Sequence, residues 1–135
     1  PIRARFASRC TIEAPLAGQR RPYALVELDG VGVSTSGDYR DFREFDGRRV
    51  SHTIHPRTAA PVTHGLASVT VLHPSVATAD AWATALMVLG PEEGLALARQ
   101  LDLAALFITR STDGSLLESA TPAFEPFRRP MPPAL

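Results

Sequence analysis

The chain contains no lysine and no asparagine, only one cysteine and one tryptophan, and no net charge. Its 14 basic residues are all arginine and are matched by 14 acidic ones, so no long-range field draws it toward nucleic acid. The pairs Arg20-Arg21, Arg48-Arg49 and Arg128-Arg129 are too short to form a basic tract. A basic set without lysine reads as genomic codon bias. Cys10 alone excludes an internal disulfide and a cysteine-built zinc site, and it leaves the compartment open. No apolar run approaches the roughly 20 residues that a membrane-spanning helix requires. The chain opens at Pro1 with neither an initiator methionine nor a signal-peptide pattern, as expected of a processed, cloned or excised segment.

What is present fits a folded domain. At 135 residues, with 44% hydrophobic and 21% charged content and a mean hydropathy of −0.01, one compact domain spanning the whole chain is expected. A chain of this size buries roughly two thirds of its unfolded surface. The first 22 residues read as a strand followed by a loop through Pro15 and Gly18, and Tyr23 to Leu28 as a strand closed by Asp29-Gly30. Tyr39 to Phe45 and Arg49 to Ile54 form a hairpin turning at Asp46-Gly47, and His55 to Gly65, with two prolines, is loop. Ser68 to Leu72 is a buried strand. Ser75 or Thr78 caps a helix that stops at Gly90, and Pro91 opens a second helix through about Gln100. Ala104 to Thr109 and Ser115 to Glu118 make a second hairpin across Asp113-Gly114, and Pro122 to Leu135 is a proline-rich extended tail lying over the surface or over a neighbour. This order predicts an α+β fold, a mainly antiparallel sheet with two consecutive helices packed on one side.

The first helix poses the functional question. Asp80 and Thr84 lie one turn apart on the same face, beside Val76, Ala83 and Met87, and Thr84 is the only polar side chain from Ala81 to Leu89. A helix apolar all round is expected to be buried, and a buried carboxylate demands a proton, a cation or a metal. Pairing of Asp80 with an arginine such as Arg57 is the structural alternative. Trp82 reads as core packing, and the spacing of His55, His64 and His73 fits no standard zinc site.

Three stretches occur in one order: Ser34-Thr35-Ser36-Gly37-Asp38-Tyr39, then His52-Thr53-Ile54-His55-Pro56-Arg57-Thr58, then Ala79-Asp80-Ala81-Trp82-Ala83-Thr84-Ala85. Together with the Val88-Leu89-Gly90 that closes the helix, they resemble the ApbE family of FAD:protein FMN transferases over about Leu25 to Phe107. The resemblance implies a magnesium-dependent enzyme that cleaves the FAD pyrophosphate, transfers FMN to a threonine hydroxyl of a target flavoprotein and releases AMP. It implies that Asp80 and Thr84 hold the metal, hard oxygen donors of the kind magnesium prefers. It further implies that Thr35, Ser36, Gly37 and Ala83 contact the nucleotide, and that His52 touches the flavin nucleotide or assists deprotonation of the acceptor threonine. A further metal ligand and much of the flavin pocket are then expected upstream of this chain or from another copy, so the segment alone is expected to be inactive. The family setting is periplasmic or membrane-anchored, with the cytoplasm open.

Two positions depart from the family pattern: His55 stands where the family has aspartate, and Ala59 where it has glycine. They motivate an alternative of a different class, a non-catalytic flavin-binding or interaction module that kept the fold. A purely structural domain binding neither flavin nor metal is the third reading.

Overall fold

The computed structural model describes residues 7–38, 42–51 and 53–133. Strands β1 (Ser8–Glu13) and β2 (Pro22–Leu28) pair antiparallel, and β3 (Gly32–Gly37) follows. β4 (Phe42–Phe45) and β5 (Arg48–Ser51) form the expected hairpin, in which Asp46 and Gly47 both take positive φ, 51° and 73°. Two such residues give a turn whose twist matches that of the flanking strands. The proline-bearing loop contains a two-residue pairing of β6 (Ile54–His55) with β7 (Ala60–Pro61). β8 (Leu66–His73) leads into α1 (Val76–Leu89) and α2 (Pro91–Gln100), and β9 (Ala104–Arg110) and β10 (Leu116–Ala120) make the second hairpin.

Local chemistry sets the helix limits. The Ser75 hydroxyl accepts the Thr78 N–H at 3.2 Å, which makes Ser75 the N-cap. Gly90 ends α1 at φ 90°, donating its N–H to Leu86 at 3.1 Å, and there the ring of His64 lies where a side chain would stand. Pro91 then occupies the first turn of α2, where a missing N–H costs nothing, with Glu92 and Glu93 at the positive end and Arg99 at the negative one.

The main sheet runs β10-β9-β8-β3, antiparallel throughout, and is covered on both faces. On one face Val69, Val71, Ala105 and Phe107 pack with Ala79, Ala83, Leu86, Met87 and Ala98 of the helices. On the other, Leu72, Leu106 and Ile108 pack with Ile12, Ala24, Val26 and Phe124. Because both faces are covered, β8 is buried at every position from Leu66 to Leu72, including Ser68 and Thr70, which alternate with the valines. The helices sit on one side, as expected. The opposite side is closed by a second, three-stranded sheet, β1-β2-β11, where β11 is Arg128–Arg129.

That last strand corrects the reading of the chain end as an extended tail. Thr121 is buried, its hydroxyl donating to the Leu103 carbonyl at 2.6 Å and accepting the Ala105 N–H at 3.0 Å. Phe124 is fully buried, a 3-10 turn spans Glu125–Phe127, and Arg128 pairs opposite Val26. The Arg128 guanidinium reaches Glu118 at 2.6 Å and Glu125 at 3.2 Å, and lies 5.3 Å from the Phe124 ring centroid. One buried phenylalanine, worth roughly 1.5–3 kcal/mol, outweighs the disordering tendency of the prolines around it.

Candidate metal and nucleotide site

The site forms where α1 lies along β3, an edge strand of the main sheet among the described residues. Successive inward steps on the strand meet successive turns of the helix. Gly32 faces Val76, so closely that a Cβ on Gly32 would run into Val76 Cγ2. Two residues on, the Ser34 hydroxyl donates to Asp80 Oδ1 at 2.9 Å. Two further on, Ser36 Oγ and Thr84 Oγ1 share a hydrogen bond at 3.3 Å. Two strand residues advance about 6.8 Å and four helical residues about 6 Å, so the two spacings nearly coincide.

Asp80 and Thr84 are exposed, which corrects the expectation that they sit in a buried turn. α1 buries one stripe, Ala79, Ala83, Leu86 and Met87, against the sheet, and the polar pair falls on the flank of that stripe, over β3. The helix looked apolar all round because of its alanines. Ala77 and Ala81 are exposed, as is Val76 at 58%. Alanine favours the helix without demanding burial. Among the described residues Asp80 enters no salt bridge, so the pairing with Arg57 does not occur.

The other sequence-predicted residues divide. Ser36 belongs to the site. Thr35 points to the opposite face of β3, where its hydroxyl lies 2.7 Å from that of buried Thr70. Gly37 ends β3 in register with Ser68. Ala83 is fully buried between helix and sheet, with its methyl in the core. His52 lies outside the described residues. Ser34, the direct partner of Asp80, was missed, although its two-residue spacing from Ser36 was there to be read.

The donor set suits a hard cation. Ser34 engages one carboxylate oxygen of Asp80 and leaves the other without a hydrogen bond among the described residues, and Thr84 can give its single proton to Ser36 while keeping lone pairs for a ligand. A carboxylate and an alcohol on one rigid helix are what magnesium takes from protein before water and phosphate complete its octahedron. Among the described residues no group of three or more His, Cys, Asp or Glu forms a metal cluster.

A cavity of about 330 Å³ adjoins the far end of this face, lined in part by Asp38, His64, Met87 and Arg110. Arg110 is held there by two bonds to Asp38, at 3.1 and 3.3 Å, and by one to the Pro15 carbonyl at 2.7 Å. His64 accepts the Leu66 N–H at Nδ1, 3.3 Å, so its Nε2 carries the proton, buried and without an acceptor among the described residues.

The loop with the two departures is intact. His55 Nδ1 accepts the Arg57 N–H at 3.1 Å, and the His55 carbonyl accepts the Ala59 N–H at 2.8 Å. An aspartate at this position would cap the same N–H with its carboxylate. His64 and His73 likewise accept the N–H two residues ahead, so in a chain without asparagine three imidazoles serve as local caps. Ala59 takes φ 52°, the left-handed conformation that glycine adopts without penalty.

Fold and site together define a strand–helix scaffold presenting side-chain oxygens at its rim, and comparison with known proteins gives it a family. A model of the ApbE family matches residues 5–107. The chain is 44% identical over 119 residues to an Escherichia coli K12 protein named FAD:protein FMN transferase, covering 88% of this chain and 34% of that one. It superposes on the apo structure of the Pseudomonas stutzeri flavinyl transferase ApbE with a TM-score of 0.75 and 49% identity, over 90% of this chain and 37% of that one. The flavin transferase ApbE from Vibrio cholerae gives a TM-score of 0.74 at 42% identity, over 89% of this chain and 37% of that one. The chain belongs to the ApbE family. It spans about a third of the length of these relatives.

Proposed function

We propose that this chain forms part of an enzyme that transfers FMN from FAD to a threonine hydroxyl of a target flavoprotein, with magnesium bound at Asp80 and Thr84. The supporting observation is the pair of exposed oxygen ligands side by side on α1, each steadied by a serine of β3. In the transfer the threonine oxygen forms a bond to the FMN phosphorus, the bond from that phosphorus to the bridging oxygen breaks, and AMP departs with that oxygen. The threonine proton passes to a base, for which the family resemblance nominates His52. Magnesium would neutralise charge on the pyrophosphate oxygens, and chemistry of this type depends chiefly on positioning and electrostatics.

The chain's own residues contribute the placement. Asp80 and Thr84 offer donors from a helix whose adjoining stripe is locked in the core, so their positions are set by packing. Ser36 stands beside them, ready to hydrogen-bond phosphate. The adjoining cavity offers a charge-compensated Arg110 to the remainder of the dinucleotide.

The alternative, a binding module without catalysis, draws on His55 and Ala59. Its force is reduced by the retained cap between His55 and Arg57. Full-length protein incubated with FAD, Mg²⁺ and a threonine-bearing acceptor should release AMP. Loss of a group that merely supports a metal ligand costs about 10–100-fold, so Asp80→Ala should lower the rate by more than about 100-fold. Unchanged turnover in that variant refutes the metal assignment, and FAD binding without AMP release by the wild type favours the module.

A further inference from the structure

We infer that Ser34 is a positioning residue for the cation: its hydroxyl fixes the Asp80 carboxylate so that the carboxylate offers one oxygen in one direction. The inference rests on the metal reading of Asp80 and Thr84 and goes beyond it, to how the ligand is oriented and which cation it selects. Ser34 donates to Asp80 Oδ1 at 2.9 Å, and no cation among the described residues neutralises that carboxylate. A carboxylate on an exposed helical flank otherwise rotates freely about its last torsion. A single donor on Oδ1 removes that freedom and leaves Oδ2 as the open ligand atom.

Three contacts in register make Ser34 the part that acts on Asp80. Gly32 against Val76 sets how closely the start of α1 approaches β3. Ser36 with Thr84 fixes the next turn. The backbone of β3 is itself held by β8, with Ser34 opposite Val71 and Ser36 opposite Val69. The hydroxyls therefore project from a paired strand whose place is determined by the sheet. Side chains behind metal ligands commonly act in this way, orienting them and raising affinity.

Cation choice follows from the same geometry. Magnesium requires near-ideal octahedral coordination at short distance, whereas calcium accepts bidentate carboxylates and flexible sites. A carboxylate with one oxygen already accepting a hydrogen bond is biased toward monodentate binding through the other, which favours the smaller ion. Freed from Ser34, Asp80 gains access to the bidentate mode and the preference shifts toward calcium.

The test compares Ser34→Val, Ser34→Thr and Ser34→Ala in the full-length protein without FAD. Valine and threonine share a shape and differ in the hydroxyl. Binding of Mn²⁺, a paramagnetic stand-in for magnesium, is read from the electron paramagnetic resonance of the free ion, with Mg²⁺ and Ca²⁺ as competitors. S34V and S34A should bind Mn²⁺ about 10–100-fold more weakly, with Mg²⁺ losing more than Ca²⁺, while S34T stays within about 3-fold of wild type. S34A serves if S34V folds poorly, since it introduces no added bulk. Wild-type affinity in S34V and S34A, or a loss in S34T equal to that in S34V, overturns the inference and leaves the metal reading standing. A wild-type protein that leaves all Mn²⁺ free overturns both.

Discussion

Replacing Ala59 by glycine should stabilise the protein. Ala59 has φ 52° at the end of the turn that begins at His55, and it is exposed, so no lost packing complicates the exchange. The other two non-glycine residues with positive φ, Asp46 and Asp102, carry a short polar side chain that can bond locally and tolerates this conformation. Alanine has no such compensation, and left-handed backbone costs an L-residue about 1–2 kcal/mol. Glycine removes that cost but gives the unfolded chain extra freedom, worth about 0.4–1 kcal/mol. The net gain is about 0.5–1 kcal/mol. An unfolding entropy of about 0.28 kcal/mol/K, the average per-residue value scaled to this length, converts the gain into a Tm increase of about 2–4 °C. Thermal melts followed by circular dichroism measure this directly. Ala60→Gly is the internal control: Ala60 lies in β7 outside the positive-φ residues, and there glycine should cost about 0.5–1 kcal/mol. A fall in Tm for A59G, or shifts of the same sign in both variants, refutes the strain at Ala59.

The cap in the same loop predicts that His55→Asp changes stability by less than about 0.5 kcal/mol while His55→Ala loses about 1 kcal/mol, because only alanine abandons the Arg57 N–H; equal losses in denaturant titrations would refute it. Gly32→Ala should cost about 1–3 kcal/mol, since the new Cβ meets Val76 Cγ2 and relief requires the β-branched side chain to change rotamer or the start of α1 to move back. The double variant G32A/V76A should recover most of that loss in the same titration, and failure to recover would place the strain elsewhere. Tyr23 has its pKa raised by burial and then by the Glu118 carboxylate beside it, 3.4 Å from the phenol oxygen. Its folded value lies above the unfolded value of about 10, so the stability it confers is complete below that pH and is lost as pH rises through the folded value. Tm measured between about pH 9 and 12 should therefore fall less steeply in Tyr23→Phe than in wild type.

Features decided by neighbours in sequence were legible. The Asp46-Gly47 and Asp113-Gly114 turns, the Ser75 cap and the Gly90-Pro91 junction between helices each depend on a few adjacent residues, and each stands where local chemistry put it. The reading fell short where a partner remote in sequence decided the outcome. Gly32 to Gly37 shows one strongly apolar side chain, Val33, and so lacked the signal of a strand, yet it pairs with β8 over its whole length. Its stability comes from the ladder and from hydroxyls that find partners on both faces, Thr70 on one and Asp80 and Thr84 on the other. At the chain end, proline content pointed to an extended tail, but Phe124 and Thr121 find sockets formed by strands far upstream in the sequence.

The candidate site combines both kinds of information. Asp80 and Thr84 were identifiable as a pair because four helical residues make one face, a rule that needs no tertiary knowledge. Their exposure was not, because alanine satisfies a hydrophobic count while leaving a helix flank open to solvent. Ser34 and Ser36 obey an equally simple rule, two strand residues to one face, and only the placement of β3 beside α1 joins the two rules. Once Gly32 is seen against Val76, the pattern of glycine, serine and serine at intervals of two, and of valine, aspartate and threonine at intervals of four, becomes a single interlocking contact. Helix and strand periodicities coincide over only a few such steps, since about 6 and 6.8 Å drift apart with distance. A strand–helix contact of this kind can therefore hold a small cluster of side-chain oxygens in place, and its short reach limits the cluster to the few residues that fall in register.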